Sequence, residues 1–349
     1  MLFEGHFFHF FVISLLLNLG LASCNFLKFS LGVDKRRGPQ NIHRTEALRG
    51  GGLAVFTVFS IQMFSSGNLW ATTFLPLLVA ATPIFLLGLM EDLTGRVGAK
   101  PRLYISFVSG LIFCFLSGYS IKNTGFEYTN LLISSSFISI ALTALAIATM
   151  SNAFNILDGL NGLSVGTGLI ILFSFFYVSL SAQDIELYLC SVALMSVLSG
   201  FWLCNFFLGR IFLGDGGAYF LGAVIAGMAI MVSERSSTLS PFFCLAVVIF
   251  PFYEVTRSTV RRALADWSSI MEPDLLHLHS LIFRVVSKKP VFSLAAGNSL
   301  SSFITLVFPV TTCSFAISFR ENQSALIVGI ILFVSIYETS VYVLRRVTP

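Results

Sequence analysis

The 349-residue chain is 56% hydrophobic and only 11% charged, with a mean hydropathy of +0.87, against about 25% charged residues in ordinary soluble domains. That balance excludes a soluble globular enzyme and points to a chain that crosses a membrane many times. The net charge of +4 carries information only through where the positive residues fall.

Apolar runs recur along the whole length and leave no room for a separate soluble domain, so residues 1–349 read as one integral-membrane domain. Eleven spanning helices are expected near 5–27, 50–66, 69–90, 103–121, 131–150, 163–182, 187–205, 217–233, 241–256, 292–316 and 325–344. Placing residues 28–49 in the cytoplasm puts 91–102, 151–162, 206–216, 257–291 and the C-terminus there too. That side then holds 18 of the 21 Lys and Arg residues, with Lys122, Arg235 and Arg320 outside it, as the positive-inside rule requires. The N-terminus is expected in the periplasm and the C-terminus in the cytoplasm. Leu21, Ala22, Ser23 and Cys24 look like a lipoprotein cleavage site, but the segment before them carries Glu4 and no Lys or Arg. An export signal needs a positive start, so an uncleaved first span is expected. The six cysteines all lie in apolar runs and form no CxxC pair, which argues against disulfides and zinc.

Transporters and lipid flippases keep ionisable groups near the bilayer midplane. Here Asp34, Glu46, Glu91, Asp92, Asp158, Asp215, Glu254, Asp266, Glu272 and Asp274 fall at or beyond the expected cytoplasmic ends, as do His43, His277 and His279. His6 and His9 stand alone in the first span. The pattern describes a membrane-embedded site opening to the cytosol, with one water-soluble substrate and one lipid substrate.

Five stretches carry the chemistry. Glu91 and Asp92 follow a helix end near Met90 and precede Gly95, Gly98, Lys100 and Arg102; adjacent helical residues point about 100° apart, so one of the two aims at a given atom. The plainer alternative is a solvated, charged helix end. In NAFNILDGLNGL, Asn152, Asn155, Asp158 and Asn161 recur every third residue and would drift about 60° per step on a helix. Gly159 and Gly162 predict that the helix yields to a loop, letting amides and carboxylate converge on a ligand, the alternative being polar capping of two helices. In FLGDGGAYFLG, Asp215 stands between glycines at a helix start. Such a terminus favours anions, and a carboxylate there calls for a cation such as Mg²⁺ to bridge it to phosphate; the alternative is an ordinary N-cap.

Pro251 should kink the ninth span, with Glu254, Arg257 and Arg261 continuing it as an amphipathic segment near the interface. Asp274, His277, His279 and Arg284 occupy the longest cytoplasmic loop. Histidines two apart face one way only in extended backbone, which suits phosphate contact better than a helical metal pair. For Lys288 and Lys289 the alternative is contact with anionic lipid.

Taken together, GLMEDLTGRVGAK, NAFNILDGLNGL, FLGDGGAYFLG and PDLLHLHSLIFR resemble the four ordered signatures of the polyprenyl-phosphate N-acetylhexosamine-1-phosphate transferases. These form glycosyltransferase family 4, and the chain is similar to its undecaprenyl-phosphate N-acetylglucosaminyl-1-phosphate transferase-like members. Val33 to Lys35 and the RGGG at Arg49 to Gly52 resemble the family's first cytoplasmic loop, so the match runs from about residue 33 to 285.

The resemblance implies an all-α protein of about eleven transmembrane helices in the inner (plasma) membrane, with a cytoplasm-facing cleft and a broken ninth helix beside a lipid groove. It implies a phosphotransferase in which undecaprenyl phosphate attacks the β-phosphate of a UDP-linked N-acetylated sugar, giving the lipid-diphospho-sugar and UMP. By resemblance Asp215 and Asp92 hold Mg²⁺, or Mn²⁺ in its place, and Asp92 is a general base or lipid-phosphate contact. Glu91, Asp158 and Asp215 join Asp92 in the catalytic group. Lys100, Arg102, Asn152, Asn155, Asn161, His277, His279, Arg284 and His43 complete a substrate-binding set. No nucleic-acid partner is implied, and a homodimer is compatible with the pattern.

Glu91 and Asn161 stand where the family commonly has Asp. The HLH in place of three histidines, with the eleventh span, leans toward the branch that begins O-antigen, lipopolysaccharide or other surface polysaccharides in cell wall biogenesis. It leans away from the phospho-MurNAc-pentapeptide transferases of peptidoglycan synthesis.

Overall fold

The computed structural model describes residues 2–23, 48–65, 73–265, 276–288 and 294–347. Within them the chain forms α1 (Leu2–Ser23), α2 (Gly51–Ser65), α3 (Phe74–Thr94), α4 (Ala99–Ser117), α5 (Glu127–Ile133), α6 (Ser136–Leu157), α7 (Leu163–Ser181), α8 (Ile185–Leu208) and α9 (Gly214–Arg235). Four more follow: α10 (Phe242–Ala265), α11 (Leu278–Ser287), α12 (Leu294–Ser318) and α13 (Gln323–Val347). All eleven expected spans have a helix; α5 and α11 are additional. Among the described residues nine helices are long and apolar enough to cross a membrane, while the apolar parts of α1 and α2 are shorter.

α9 is the hub. Every residue from Gly214 to Val232 is buried, and a helix apolar all round belongs inside a bundle. It packs against α2, α3, α6 and α7. Membrane helices have no hydrophobic drive to associate with one another, so close packing of small residues must hold them. A Cβ built on Gly88 of α3 would lie 2.6 Å from the Gly216 Cα, and one on Gly52 of α2 would lie 2.5 Å from the Gly217 Cα. Backbone therefore touches backbone where α2 and α3 meet the first turn of α9.

The two ends of α9 carry different polar clusters. At its C-terminal end Arg235 bonds Asp184 (Nε to Oδ2, 2.8 Å) and Glu186 (Nη1 to Oε2, 2.9 Å), and donates to the Thr73 hydroxyl. Twenty-two residues separate the ends by about 33 Å, roughly a hydrocarbon core's thickness. Arg49, Asp92, Arg102 and Asp158 gather at the other end.

Three expectations need correcting. Glu91 and Asp92 do not follow the helix end but form the last turn of α3, which runs to Thr94. The stop is Gly95, at φ +64°, where a left-handed residue costs glycine little. The fifth span starts and ends later than expected, at Ser136–Leu157. The expected break of the ninth span is also absent: α10 is helical without interruption from Phe242 to Ala265 with Pro251 inside it. Proline removes one backbone bond from the ladder, and the packing of α10 against α6, α12 and α13 keeps the turns on either side helical.

Candidate active site

The start of α9 has four backbone N–H groups that its own helix cannot satisfy. Two carboxylates from other helices accept three of them. Asp92 at the end of α3 takes the Asp215 N–H on Oδ1 and the Gly216 N–H on Oδ2, both at 3.0 Å, and Asp158 takes the Gly214 N–H on Oδ2 at 3.1 Å. Gly214 stands at φ +77°, and a Cβ there would meet Asp92 Oδ2 at 2.7 Å. Glycine is required at this position on both counts.

Asp215 is thus not an N-cap. It lies one position inside the helix, buried, with its carboxylate turned to two arginines. Arg102 Nη1 on α4 is 2.5 Å from Oδ2, and Arg49 Nη1 is 3.6 Å from Oδ1. The same Arg49 nitrogen is 3.5 Å from Asp92 Oδ1. Three carboxylates and two guanidinium groups therefore meet at one positive helix terminus. Arg49 is delivered by a short backbone pairing: Leu48 and Ile211 form a parallel bridge, and the Gly51 and Gly52 N–H groups donate to Phe212 and Leu213 carbonyls.

Asp158 sits at the C-cap of α6, outside the spans. Burial pushes its carboxyl well above the usual carboxylate range, with Arg49 and the Gly214 N–H pulling the other way and Asp92 and Asp215 adding to the rise. The helix does yield to a loop here, as the glycines predict: Gly162 takes φ +74°.

A second wall comes from α10 and α11. His277 is the extended N-cap of α11 and His279 lies in its first turn, so the rings stack with centroids 5.4 Å apart and planes 10° from parallel. Glu254 of α10 serves both: Oε2 bonds His277 Nδ1 at 2.8 Å, while Oε1 lies 3.8 Å from His279 Nδ1 and accepts the Leu278 N–H at 3.2 Å. A Cβ built on Gly159 would lie 3.6 Å from His279 Nε2, which brings this wall against the turn that carries Asp158.

Not every expected site residue faces the cluster. Glu91 Oε2 accepts the Val97 N–H at 2.7 Å, closing the turn that follows α3. Asn161 is buried and turned into the scaffold: its N–H donates to Asn298 Oδ1 at 2.7 Å and its amide reaches Ser299 Oγ. The Asn152 amide donates to the Ala148 carbonyl. Asn155 is half-buried on the last turn of α6, Lys100 is exposed at the start of α4, and Arg284 lies in the last turn of α11. His43, Asp274 and Val33 to Lys35 lie outside the described residues.

Sequence reasoning passed over Asn205, whose amide donates to the Ile211 carbonyl while its oxygen accepts the Gly162 N–H, tying the two loops of the site together. It gave no role to Arg49 or to Glu254 as the common partner of the histidines. The only hints were the glycines after Arg49 and the proline before Glu254.

Among the described residues no three His, Cys, Asp or Glu side chains are close enough to hold an ion by themselves. The donor chemistry still fits a hard divalent cation. One guanidinium nitrogen bridges Asp92 and Asp215, so both carboxylates face a common cationic position, and Mg²⁺ is ordinarily held by one or two carboxylates with substrate oxygens and water.

A helical membrane bundle with acids and arginines at one end is built to handle charged groups at a lipid boundary. The family model of glycosyl transferase family 4 matches residues 74–233, which run from α3 through α9. A Bacillus subtilis protein named "Probable undecaprenyl-phosphate N-acetylglucosaminyl 1-phosphate transferase" is 26% identical over 254 residues, 72% of this chain and 70% of that one. The Mycolicibacterium smegmatis decaprenyl-phosphate N-acetylglucosaminephosphotransferase is 25% identical over 340 residues, 88% and 81% of the two chains. The phospho-N-acetylmuramoyl-pentapeptide-transferase of Dictyoglomus turgidum is 32% identical over 232 residues, 64% and 71%. The protein is a multi-pass membrane transferase. It belongs to glycosyl transferase family 4.

Proposed function

We propose that this transferase moves an N-acetylated sugar-1-phosphate from a UDP-sugar to undecaprenyl phosphate at a cytoplasm-facing site in the inner membrane, releasing UMP and starting an O-antigen or other surface polysaccharide. The observation that carries the reading is the meeting of Asp92, Asp158, Asp215, Arg49 and Arg102 at the N-terminus of α9. The placement of 18 of 21 basic residues on one side supports the orientation.

In this mechanism the acceptor phosphate oxygen attacks the β-phosphorus, the bond to the bridging oxygen breaks, and UMP leaves with that electron pair. A phosphate is already ionised near neutral pH, so no base is needed. Each Asp92 oxygen accepts one N–H group, so the carboxylate holds the first turn of α9 and keeps its remaining lone pairs for the cationic position next to Arg49. Two anions approaching each other need charge neutralisation. Arg49 and Arg102 provide it from the protein, with Lys100 at the rim. Asn155 and Asp158 face the nucleotide, and the Nε2 edges of His277 and His279 hold the diphosphate or sugar. Mg²⁺, with Mn²⁺ as a substitute, would be held by Asp215 and Asp92 and would supply further charge neutralisation on the phosphates.

Purified protein with undecaprenyl phosphate and a panel of UDP-N-acetylhexosamines should release UMP and form a lipid product, lose both on chelation, and regain both with Mg²⁺. No product from any donor overturns the reading. The phospho-MurNAc-pentapeptide branch is the second reading, favoured by the 32% identity with the Dictyoglomus protein. Turnover of UDP-MurNAc-pentapeptide in the same panel would select it.

A further inference from the structure

α13, the eleventh span, carries an acidic residue toward its C-terminal end. Glu338 lies more than two turns before the end of the helix at Val347, with its side chain partly exposed. An acidic side chain on a spanning helix calls for a partner. It is paired with Arg257 of α10: Arg257 Nε lies 2.6 Å from Oε1 and Nη2 lies 3.4 Å from Oε2, while the Tyr253 hydroxyl donates to Oε1 at 2.9 Å. The neighbouring residue, Tyr337, is fully buried. The Arg257 guanidinium sits 5.7 Å from its ring centroid, and Tyr253 packs edge-on against it at 5.0 Å.

Arg257 also reaches the segment that leads into the histidines. Its Nη1 donates to the Leu276 carbonyl at 3.4 Å, one residue before His277. Three positions earlier on α10, Glu254 holds the histidines themselves. One turn of α10 thus has two grips on the start of α11, and only one of them involves Glu254. The other is a guanidinium whose fork is fixed from α13.

We infer that Glu338 is a positioning residue: by holding Arg257 it fixes the Leu276–His279 segment, and with it the histidine pair, against the Asp158 turn. The inference rests on the transferase reading above. An arginine deprived of its carboxylate has a flexible aliphatic stem and water within reach at the interface, and swings toward that water. Its hold on the Leu276 carbonyl is then lost, while the helices, held by apolar packing, stay in place.

The test compares full-length wild type with Glu338→Gln, Glu338→Asp, Arg257→Gln and the Glu338→Gln/Arg257→Gln double variant. Two readouts are taken: UMP release and hydrogen exchange of the amides in Leu278–Ser287. Glu338→Gln should lower kcat about tenfold with KM for the UDP-sugar within about twofold, as small misplacements of binding groups do. It should speed exchange in α11 about fivefold while leaving α9 unchanged. Glu338→Asp should restore both, and the double variant should be no worse than Arg257→Gln, since both changes break one link. Wild-type kcat in Glu338→Gln overturns the inference, as does faster exchange spread equally over α9. If wild type turns over no donor, the transferase reading fails. The exchange arm needs no substrate: protection of α11 that stays at the wild-type level in Glu338→Gln still overturns the positioning.

Discussion

Asp92 at the end of α3 bonds the backbone of Asp215 and the residue after it, so one carboxylate is the cap on the helix that carries the other. The two acids cannot move independently, which gives their substitutions different signatures.

Asp92→Ala should abolish turnover and also loosen the protein, because two buried N–H groups lose a charged acceptor. About 1–2 kcal/mol of stability is expected to go, visible as a lower unfolding temperature in detergent. Asp92→Asn keeps one acceptor and should recover much of the stability but little of the activity. An Asp92→Ala protein that melts with wild type would show that the cap is not what holds α9.

Asp215 makes no cap, so Asp215→Asn should remove UMP release and its response to Mg²⁺ with little change in melting. Arg102→Gln takes away the guanidinium that contacts Asp215 and should lower kcat about 10- to 100-fold. Equal kcat in Arg102→Gln and wild type would assign the neutralising role to Arg49 alone.

Asp158 predicts a pH effect on the substrate-free and metal-free protein. Its carboxyl titrates above the unfolded value of about 4, so the folded state binds the proton more tightly and stability is lost as pH rises through the folded value. Asp158→Asn removes that loss. It should melt a few degrees above wild type at about pH 8 and converge with it below about pH 4, while turnover disappears. A constant gap across that range would mean that the carboxyl does not titrate there.

Gly88→Ala tests the contact beneath the acids. The new Cβ would sit 2.6 Å from the Gly216 Cα, and backbone cannot yield as a side chain can. Overpacking of this kind costs about 1–3 kcal/mol, and kcat should fall because Asp92 and Asp215 are pushed apart. Gly20→Ala on α1, with nothing within 4 Å, should leave kcat unchanged.

Much of this architecture was legible in the sequence because the bilayer imposes it. Span length follows from hydrocarbon thickness, and all eleven expected spans have a helix. The loop at Gly159 and Gly162 and the helix start at Gly214 were legible for local reasons of glycine and spacing, whereas the expected extended backbone between His277 and His279 is helical from Leu278 on, with only His277 extended. Residue pairings across helices were not. Period and composition show that Asp92 and Asp158 are polar; they do not show that both accept N–H groups from α9. Asn161 looked like its neighbours in NAFNILDGLNGL, yet it bonds Asn298 and Ser299, partners more than a hundred residues away. Pro251 pointed to a broken ninth span, yet α10 stays helical through it.

The contacts of Gly88 with Gly216 and Gly52 with Gly217 bear on donor choice. At these two contacts no side chain separates the backbones, so nothing there can rotate or repack, and in the proposed reaction the floor beneath the phosphates behaves as a gauge block of fixed width. Every donor in that proposal presents the same diphosphate to it. Selection among sugars must then be made farther out, by parts of the protein that can change without touching that gauge, and exchange of those parts between relatives should alter which sugar is taken while leaving the chemistry intact.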